Sequence, residues 1–328
     1  MVAGEAGSGW MTRIGQNPAK FVGTVHKPER ITVSVLTYIP FLSGYFATYL
    51  DVVKACLESI WKNTDLPYDL MVFDNGSCDE LLEYLLEAHA SGRIQYLALS
   101  KQNLGKGGAW NAILSSAPGE IIAYSDSDAL FYPGWLSKSV EILEHYPKAG
   151  MVTSRPFRTR EHLMSATIVW AEESAEVKLE RGSFIPWETF REFDMSLGQE
   201  EADVRARYEA TEDYRITYKG VKAHIGASHW QFVARKSVLQ QFLPFSMDRP
   251  MGQVLALDEN INERGYLRLM TPEPLAMNMS NSVLPVPAGS GNRRPSKSLK
   301  RQVLDLAPVR RGLLWFYDRI FSWYYAEA

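Results

Sequence analysis

The chain has 328 residues, 46% of them hydrophobic, which is enough to bury one large core or two smaller ones and argues against intrinsic disorder. Its 35 basic and 38 acidic side chains give a formal net charge of −3, so there is no overall attraction to nucleic acid. Two cysteines, no apolar leader in residues 1–30 and no apolar run of roughly 18 residues lead us to expect a cytoplasmic protein.

Strands and helices alternate from residue 31 onward. Residues 31–37 are dominated by β-branched side chains and predict a buried strand, and residues 49–63 place apolar side chains at the three- and four-residue steps of a helix. The same alternation predicts strands at 68–73, 94–99 and 121–124, and helices at 80–89 and 108–116. Because parallel neighbours need long crossovers, we predict an α/β fold with a mostly parallel sheet and helices on both faces.

Residues 156–219 break this rhythm. Between Glu172 and Asp213 there are 13 acidic and 5 basic residues, and we predict a largely helical insertion that is either a solvated charged face or a lid or acceptor-binding element. The predicted organisation is then an N-terminal extension, a half with the alternating strands and helices, a second half that contains the insertion, and a linker with a C-terminal helix. Their bounds are residues 1–30, 31–151, 152–285 and 286–328.

Three motifs follow consecutive predicted strands. The first is Asp74-Asn75-Gly76-Ser77, where Asn-Gly predicts a tight turn and Asp74 stands at the carboxyl end of its strand. The second is the glycine-rich segment 103–111, which precedes a helix and lets the backbone approach a ligand. The third is Asp126-Ser127-Asp128. Ligands of open α/β sheets bind beyond the carboxyl ends of the strands, so the three motifs predict one site.

Asp126 and Asp128 suit a hard divalent cation. Side chains two residues apart in extended chain point the same way, so the two carboxylates can converge. Mn²⁺ or Mg²⁺ held by one or two carboxylates completes its shell with water and phosphate oxygens. A nucleotide diphosphate supplies such oxygens.

The motifs Asp-Asn-Gly-Ser, Asn-x-Gly-x-x-x-Ala-x-Asn and Asp-x-Asp, in this order, resemble the family-2 inverting glycosyltransferases with the GT-A fold. The resemblance covers residues 31–151 well and 226–281 more loosely. It implies that Thr37 and Asp74 contact the nucleoside, that Asp126 contacts the ribose or the metal, and that Asp128 contacts the metal. We also place Asn103 and Lys106 of the glycine-rich segment on the donor side.

Two positions depart from the pattern of that family. Inverting transfer needs a base, normally a carboxylate, and the usual spacing before Gly265-Tyr266 falls on Gln253 and Val254, which cannot act as one. The nearest acids are Asp258 and Glu259, one helical turn further on, and Asp248 before the helix; we predict Asp258 as the base, with Glu259 as the next candidate. Where the family often carries a metal-binding histidine, this chain has Asn278, which we keep as a third candidate metal ligand.

The acceptor side is predicted at His229 and Trp230, because an aromatic face suits a sugar ring; the alternative for the histidine is a buried structural role.

Residues 293–319 hold eight basic and two acidic side chains beside an aromatic helical pattern. This tail indicates peripheral contact with a membrane, or packing on its own domain or on a second copy of the chain.

The predicted activity is metal-assisted, inverting transfer of a hexose from a nucleotide diphosphate sugar to a hydroxyl of a glycan, lipid or small molecule. A binding protein that keeps the scaffold without turnover is the alternative, because Gln253 and Asn278 replace an expected acid and histidine. A nucleotidyltransferase is disfavoured, since residues 38–41 lack the glycine-rich, basic loop that it requires after the first strand.

Overall fold

A computed structural model of the chain describes residues 15–248 and 253–283. The described strands, numbered in chain order, are β1 (Ile31–Thr37), β2 (Asp69–Asn75), β3 (Tyr96–Ser100), β4 (Ile121–Asp126), β5 (Ala129–Phe131), β6 (Ala149–Thr153), β7 (Val177–Gly182), β8 (Asp213–Tyr218), β9 (Val221–Ile225), β10 (Gln231–Arg235), β11 (Leu267–Met270) and β12 (Ala276–Asn278). The described helices are α1 (Tyr49–Asn63), α2 (Asp79–Ala90), α3 (Gly105–Ser116), α4 (Trp135–His145), α5 (Ser165–Glu173), α6 (Trp187–Ser196), α7 (Glu201–Ala210), α8 (Lys236–Leu239) and α9 (Gln253–Glu263).

The main sheet is parallel in one half and mixed in the other. Its order is β3-β2-β1-β4-β10-β6-β11-β9-β8-β7, and β1 to β4 all run parallel. Beyond β4 only β6 and β11 are parallel neighbours, and the other pairings are antiparallel. A short ribbon of β5 and β12 lies beside the end of β4. The predicted α/β fold is confirmed, and the parallel strands are those whose ends carry the three motifs.

Alternate residues of the central strands enter separate cores on the two faces of the sheet. On β2, Leu70 and Val72 pack into one core with residues of α1, α2 and α4, whereas Met71 and Phe73 pack into another with residues of α3 and α9. This is the period of two that an extended strand imposes. Helices therefore cover both faces, as predicted, and the chemistry is confined to the strand ends and loops.

Helix α1 illustrates how the sequence pattern sets an element. Its bounds agree with the prediction, and the buried side chains Val53, Leu57 and Ile60 recur at three- and four-residue steps. Helix α3 begins at Gly105, three residues before the predicted start. That difference places Lys106 in the first turn of a helix instead of in a loop.

The insertion contains helices and strands. Helices α5, α6 and α7 lie within it, but it also supplies β7 and β8, which extend the main sheet in antiparallel fashion. A small core of Ile185, Phe190 and Val204 joins the loop before α6 to helices α6 and α7. The insertion is thus an integral part of the fold.

Residues 1–14 and the predicted linker and tail at 286–328 lie outside the described residues, and so do the expected membrane contact and self-association of that tail. Within residues 15–248 and 253–283, none of the helices is both long and apolar enough to span a bilayer.

Candidate functional site

The strand ends bring the predicted donor residues side by side. In the parallel register Thr37 lies opposite Asp74, and Leu36 lies opposite Asp126. The first and third motifs therefore flank the end of β1. The carboxyl ends of β1, β2 and β4 form one edge, as expected for a ligand site in an α/β sheet.

Thr37 and Asp74 are bonded to each other at the base of this edge. The Thr37 hydroxyl donates to Asp74 Oδ2 at 2.9 Å, and the amides of Gly76 and Ser77 donate to Asp74 Oδ1 at 3.1 and 3.0 Å. Both side chains are fully buried. The pair holds the turn after β2 in place, and its contact with a nucleoside stays a prediction.

The turn after β2 is tied to the glycine-rich segment. Asn75 Nδ2 donates to Asn103 Oδ1 at 2.9 Å, and the Leu104 amide donates to Asn75 Oδ1 at 2.9 Å. Gly76 has a φ of +89°, and a Cβ there would lie 2.9 Å from the main-chain carbon of Gln102. Only glycine combines this left-handed backbone with so close an approach. The predicted donor residue Asn103 is exposed at this junction.

Lys106 connects the glycine-rich segment to the third motif. Its Nζ lies 2.6 Å from Asp126 Oδ2, and 10% of its side chain is exposed against 27% for Asp126. The hydroxyl of Tyr124 donates to the other oxygen, Oδ1, at 2.6 Å. Burial raises the pKa of Tyr124 well above its ordinary value, helped by the charge of Asp126, so this phenol remains a donor. The structure thus brings together the predicted donor residues Lys106 and Asp126.

Asp128 lies beside Asp126 in a more apolar setting. Burial, and then the nearby charge of Asp126, raise the pKa of Asp128 to about 7, while Lys106 and an interaction with the Tyr49 hydroxyl act in the opposite direction. The raised pKa of Asp128 reflects a second, buried carboxylate beside Asp126, whose ion-pair partner is Lys106. A cation between the two carboxylates would stabilise the charged form of both.

Asn278, the third candidate metal ligand, lies next to this pair. It stands opposite Ala129 in the β5–β12 ribbon, and the amide of the following residue, Met279, donates to the carbonyl of Asp128 at 2.7 Å. Its own Oδ1 accepts from the Ser280 amide at 2.9 Å. The main chain that carries Asn278 therefore adjoins that of Asp128, and the role of Asn278 as a metal ligand stays a prediction.

The oxygen set fits a hard cation with few protein ligands. Within residues 15–248 and 253–283 there is no cluster of three or more His, Cys, Asp or Glu side chains placed to hold a metal. Two carboxylates with one amide suit Mg²⁺ or Mn²⁺, which leave several positions for water and phosphate oxygens. They do not suit zinc, which takes nitrogen and sulfur ligands in closed sites.

On the acceptor side, Asp258 is bonded to two other side chains. Its Oδ2 lies 2.7 Å from His229 Nδ1, and its Oδ1 accepts from Arg268 at 2.6 Å. Only 5% of its side chain is exposed, against 30% for His229. Asp258 is thus buried between His229 and Arg268, and its role as the base stays a prediction. Glu259, on the same helix, is partly exposed and makes no ion pair with a described residue.

A cleft of about 890 Å³ opens in front of His229 and Trp230. The insertion forms much of the wall of this cleft. This position favours a lid or an acceptor-binding element over a solvated charged face as the role of the insertion. Phe157 stacks on Phe193 with ring centroids 5.1 Å apart, and Phe193 lies 5.7 Å from the Trp230 ring. Asn278 also lines the cleft, and Trp230 links its wall to the end of β4, because the Asp126 amide donates to the Trp230 carbonyl at 2.8 Å.

Three residues of the site were not predicted from the sequence: Tyr49, Tyr124 and Arg268. Tyr49 and Tyr124 contact the carboxylates but occur in ordinary apolar patterns of α1 and β4. Arg268 carried a readable signal, because a charged side chain inside the buried strand Leu-Arg-Leu-Met requires a buried partner.

Residues 45–170 match the family model described as glycosyl transferase family 2. An uncharacterized glycosyltransferase of Nostoc sp. is 26% identical over 112 residues, which cover 34% of each chain. Chondroitin synthase of Escherichia coli is 30% identical over 110 residues, which cover 33% of this chain and 16% of that protein. The chain thus spans about a third or less of the length of these relatives.

Two solved structures are also similar. One is the mannosyltransferase PcManGT of Pyrobaculum calidifontis in complex with GDP-Man and Mn²⁺, with a TM-score of 0.45 and 21% identity over 76% of this chain and 55% of that chain. The other is residues 1–349 of Staphylococcus aureus TarS in complex with UDP-GlcNAc, with a TM-score of 0.42 and 15% identity over 78% of this chain and 62% of that chain.

The matched segment begins just before α1 and includes all three sequence motifs together with the Lys106–Asp126 pair and Asp128. The segment that carries the three motifs is therefore the part of the chain that is similar to glycosyl transferase family 2.

Proposed function

We propose that the protein transfers a hexose from a nucleoside diphosphate sugar to an acceptor hydroxyl, with inversion at the anomeric carbon and with the assistance of Mn²⁺ or Mg²⁺. The observation that carries the proposal is the cluster of Asp126, Asp128 and Lys106 at the carboxyl ends of parallel strands. It adjoins a cleft large enough for a sugar and its acceptor. The family match of residues 45–170 supports the same class of reaction.

The donor half of the site is suited to a diphosphate. Asp126 and Asp128, with Asn278 nearby, would hold the cation, and Lys106 adds a positive charge from the first turn of α3. A divalent cation bound there neutralises the charge that develops on the departing diphosphate. The exposed Asn103 and the glycine-rich backbone form the adjoining wall, and the buried Thr37–Asp74 pair keeps that wall in position.

The acceptor half is suited to a glycan or another hydroxyl-bearing molecule. Trp230 and Phe193 supply aromatic surface in the cleft, which fits the apolar face of a sugar ring. The carbonyl of Trp230 accepts from the Asp126 amide at 2.8 Å, so the two halves of the site are joined by a main-chain hydrogen bond. An acceptor bound beside Trp230 is therefore close to the donor.

The proposal is tested by incubating the full chain with Mn²⁺ and a panel of UDP-, GDP- and dTDP-sugars, and by measuring release of the nucleoside diphosphate with and without oligosaccharide acceptors. At least one donor is expected to turn over, and Asp128→Asn is expected to lose at least 100-fold in rate. Asp203→Asn, which changes an exposed carboxylate on α7, serves as the matched control and should retain wild-type turnover.

The anomeric configuration of the product, read by NMR, tests inversion. Failure of every nucleoside diphosphate to bind would contradict the proposal. Donor binding without any turnover would instead favour a nucleotide-sugar-binding protein, the reading suggested by Gln253 and Asn278 at positions where related enzymes carry an acid and a histidine.

A further inference from the structure

His229, Asp258 and Arg268 form a continuous chain of charged and polar groups from the cleft into the core. The imidazole Nδ1 lies 2.7 Å from Asp258 Oδ2, and Arg268 donates to Asp258 Oδ1 at 2.6 Å. Arg268 has no exposed side-chain surface, and it also donates to the carbonyls of Ala227, at 2.6 Å, and Leu163. Each oxygen of Asp258 therefore has a fixed partner.

The hydrogen bond to Asp258 determines which ring nitrogen of His229 carries the proton. A carboxylate only accepts hydrogen bonds, so the proton of a neutral imidazole is held on Nδ1, facing Asp258. The lone pair is then on Nε2, for which no partner occurs among the described residues. With 30% of the side chain exposed, and with His229 lining the cleft, Nε2 is the atom of this group that an acceptor can reach.

His229 also lies close to the donor half. It precedes Trp230, whose carbonyl accepts from the Asp126 amide, and strand β10, which follows, pairs antiparallel with β4. The antiparallel pairing places the residues just before β10 beside those just after β4. His229 is thus on the part of the cleft wall that adjoins the end of β4.

We propose that His229 is the base of the transfer reaction and that Asp258 is its positioning residue; the inference rests on the function proposed above. The acceptor hydroxyl gives its proton to His229 Nε2 as its oxygen forms a bond to the anomeric carbon. The bond between that carbon and the diphosphate oxygen breaks, and the electron pair leaves with the nucleoside diphosphate. Asp258 stabilises the imidazolium, and Arg268 keeps Asp258 oriented.

Another acid in the cleft is a weaker candidate. Asp194 on α6 lies 2.6 Å from Arg207, and 11% of its side chain is exposed. Its position on the insertion has no main-chain hydrogen bond to the β4 end comparable to that of Trp230. Asp194 would be the base instead if a folded Asp194→Asn variant lost transfer while the His229 variants kept it.

The test compares His229→Ala, His229→Gln and Asp258→Asn with wild type in steady-state transfer, and measures donor affinity by calorimetry for each. His162→Ala, an exposed histidine outside the cleft, is the control. Removal of a general base is expected to lower kcat by about 10²–10⁴-fold, with donor affinity within about twofold of wild type. Added imidazole should restore part of the rate of His229→Ala and leave His162→Ala unchanged.

Asp258→Asn should lower kcat while the KM for the donor stays near its wild-type value, because the asparagine can hold the ring in the wrong tautomer without touching the donor. A kcat of His229→Ala within threefold of the wild-type value overturns the assignment. It is also overturned when added imidazole does not raise the rate of His229→Ala although His229→Gln remains folded. Absence of transfer by the wild-type chain with every donor would instead overturn the proposed function itself.

Discussion

Arg268→Met is the substitution with the largest expected effect on stability. The Arg268 side chain has no exposed surface, and its charge is balanced by Asp258, whose side chain is 5% exposed. Removing the arginine leaves a buried carboxylate with only His229 as partner and removes the donor to two main-chain carbonyls. Breaking a buried ion pair from one side costs about 3–5 kcal/mol of folding free energy.

The assay is a double-mutant cycle followed by urea denaturation. Asp258→Asn alone leaves Arg268 as an uncompensated buried cation and is expected to cost a similar amount, about 3–5 kcal/mol. The double variant with Arg268→Met contains neither charge, so its loss should be smaller than the sum of the single losses by about 2–3 kcal/mol, the upper range of coupling for residues in contact. Strictly additive losses would refute a coupled buried pair.

Three further predictions concern the donor half. Lys106→Met removes the cation beside Asp126 and should weaken nucleoside diphosphate binding roughly tenfold in calorimetry, the equivalent of about 1.5 kcal/mol for one charged hydrogen bond. Tyr124→Phe removes the donor to Asp126 Oδ1 and should weaken Mn²⁺ binding by about fivefold in a metal titration, about 1 kcal/mol. Gly76→Ala should lower unfolding free energy by about 1–3 kcal/mol, and should cost more than Gly92→Ala, whose φ is also positive but whose Cβ would meet no atom within 4 Å.

The donor half was readable from the sequence because its signals are local. The β-branched residues of β1 and the apolar spacing of α1 set those elements at their observed bounds, and each motif follows a strand directly. Once parallel strands are inferred, their carboxyl ends must share an edge. The proximity of Lys106 to Asp126 follows from that edge.

The acceptor half depends on contacts between distant parts of the chain. Asp258, His229 and Arg268 come from α9, the loop before β10, and β11, and no local pattern reveals that they meet. Asp258 was therefore predicted as the base from its place shortly after Gln253 and Val254, and the sequence gives no sign of its burial against Arg268. Strand β7 was likewise not predicted, because its residues are polar and partly exposed. An edge strand lacks the apolar run of a central strand.

The central claim, that Asp126 and Asp128 hold a cation for a nucleoside diphosphate, is tested most directly by calorimetry of UDP and GDP binding with and without Mn²⁺. For wild type, at least one nucleotide is expected to bind with Mn²⁺ and to weaken at least tenfold without it. Asp128→Asn should bind that nucleotide equally weakly in both conditions. Binding by Asp128→Asn that matches wild type and still responds to Mn²⁺ would contradict the claim.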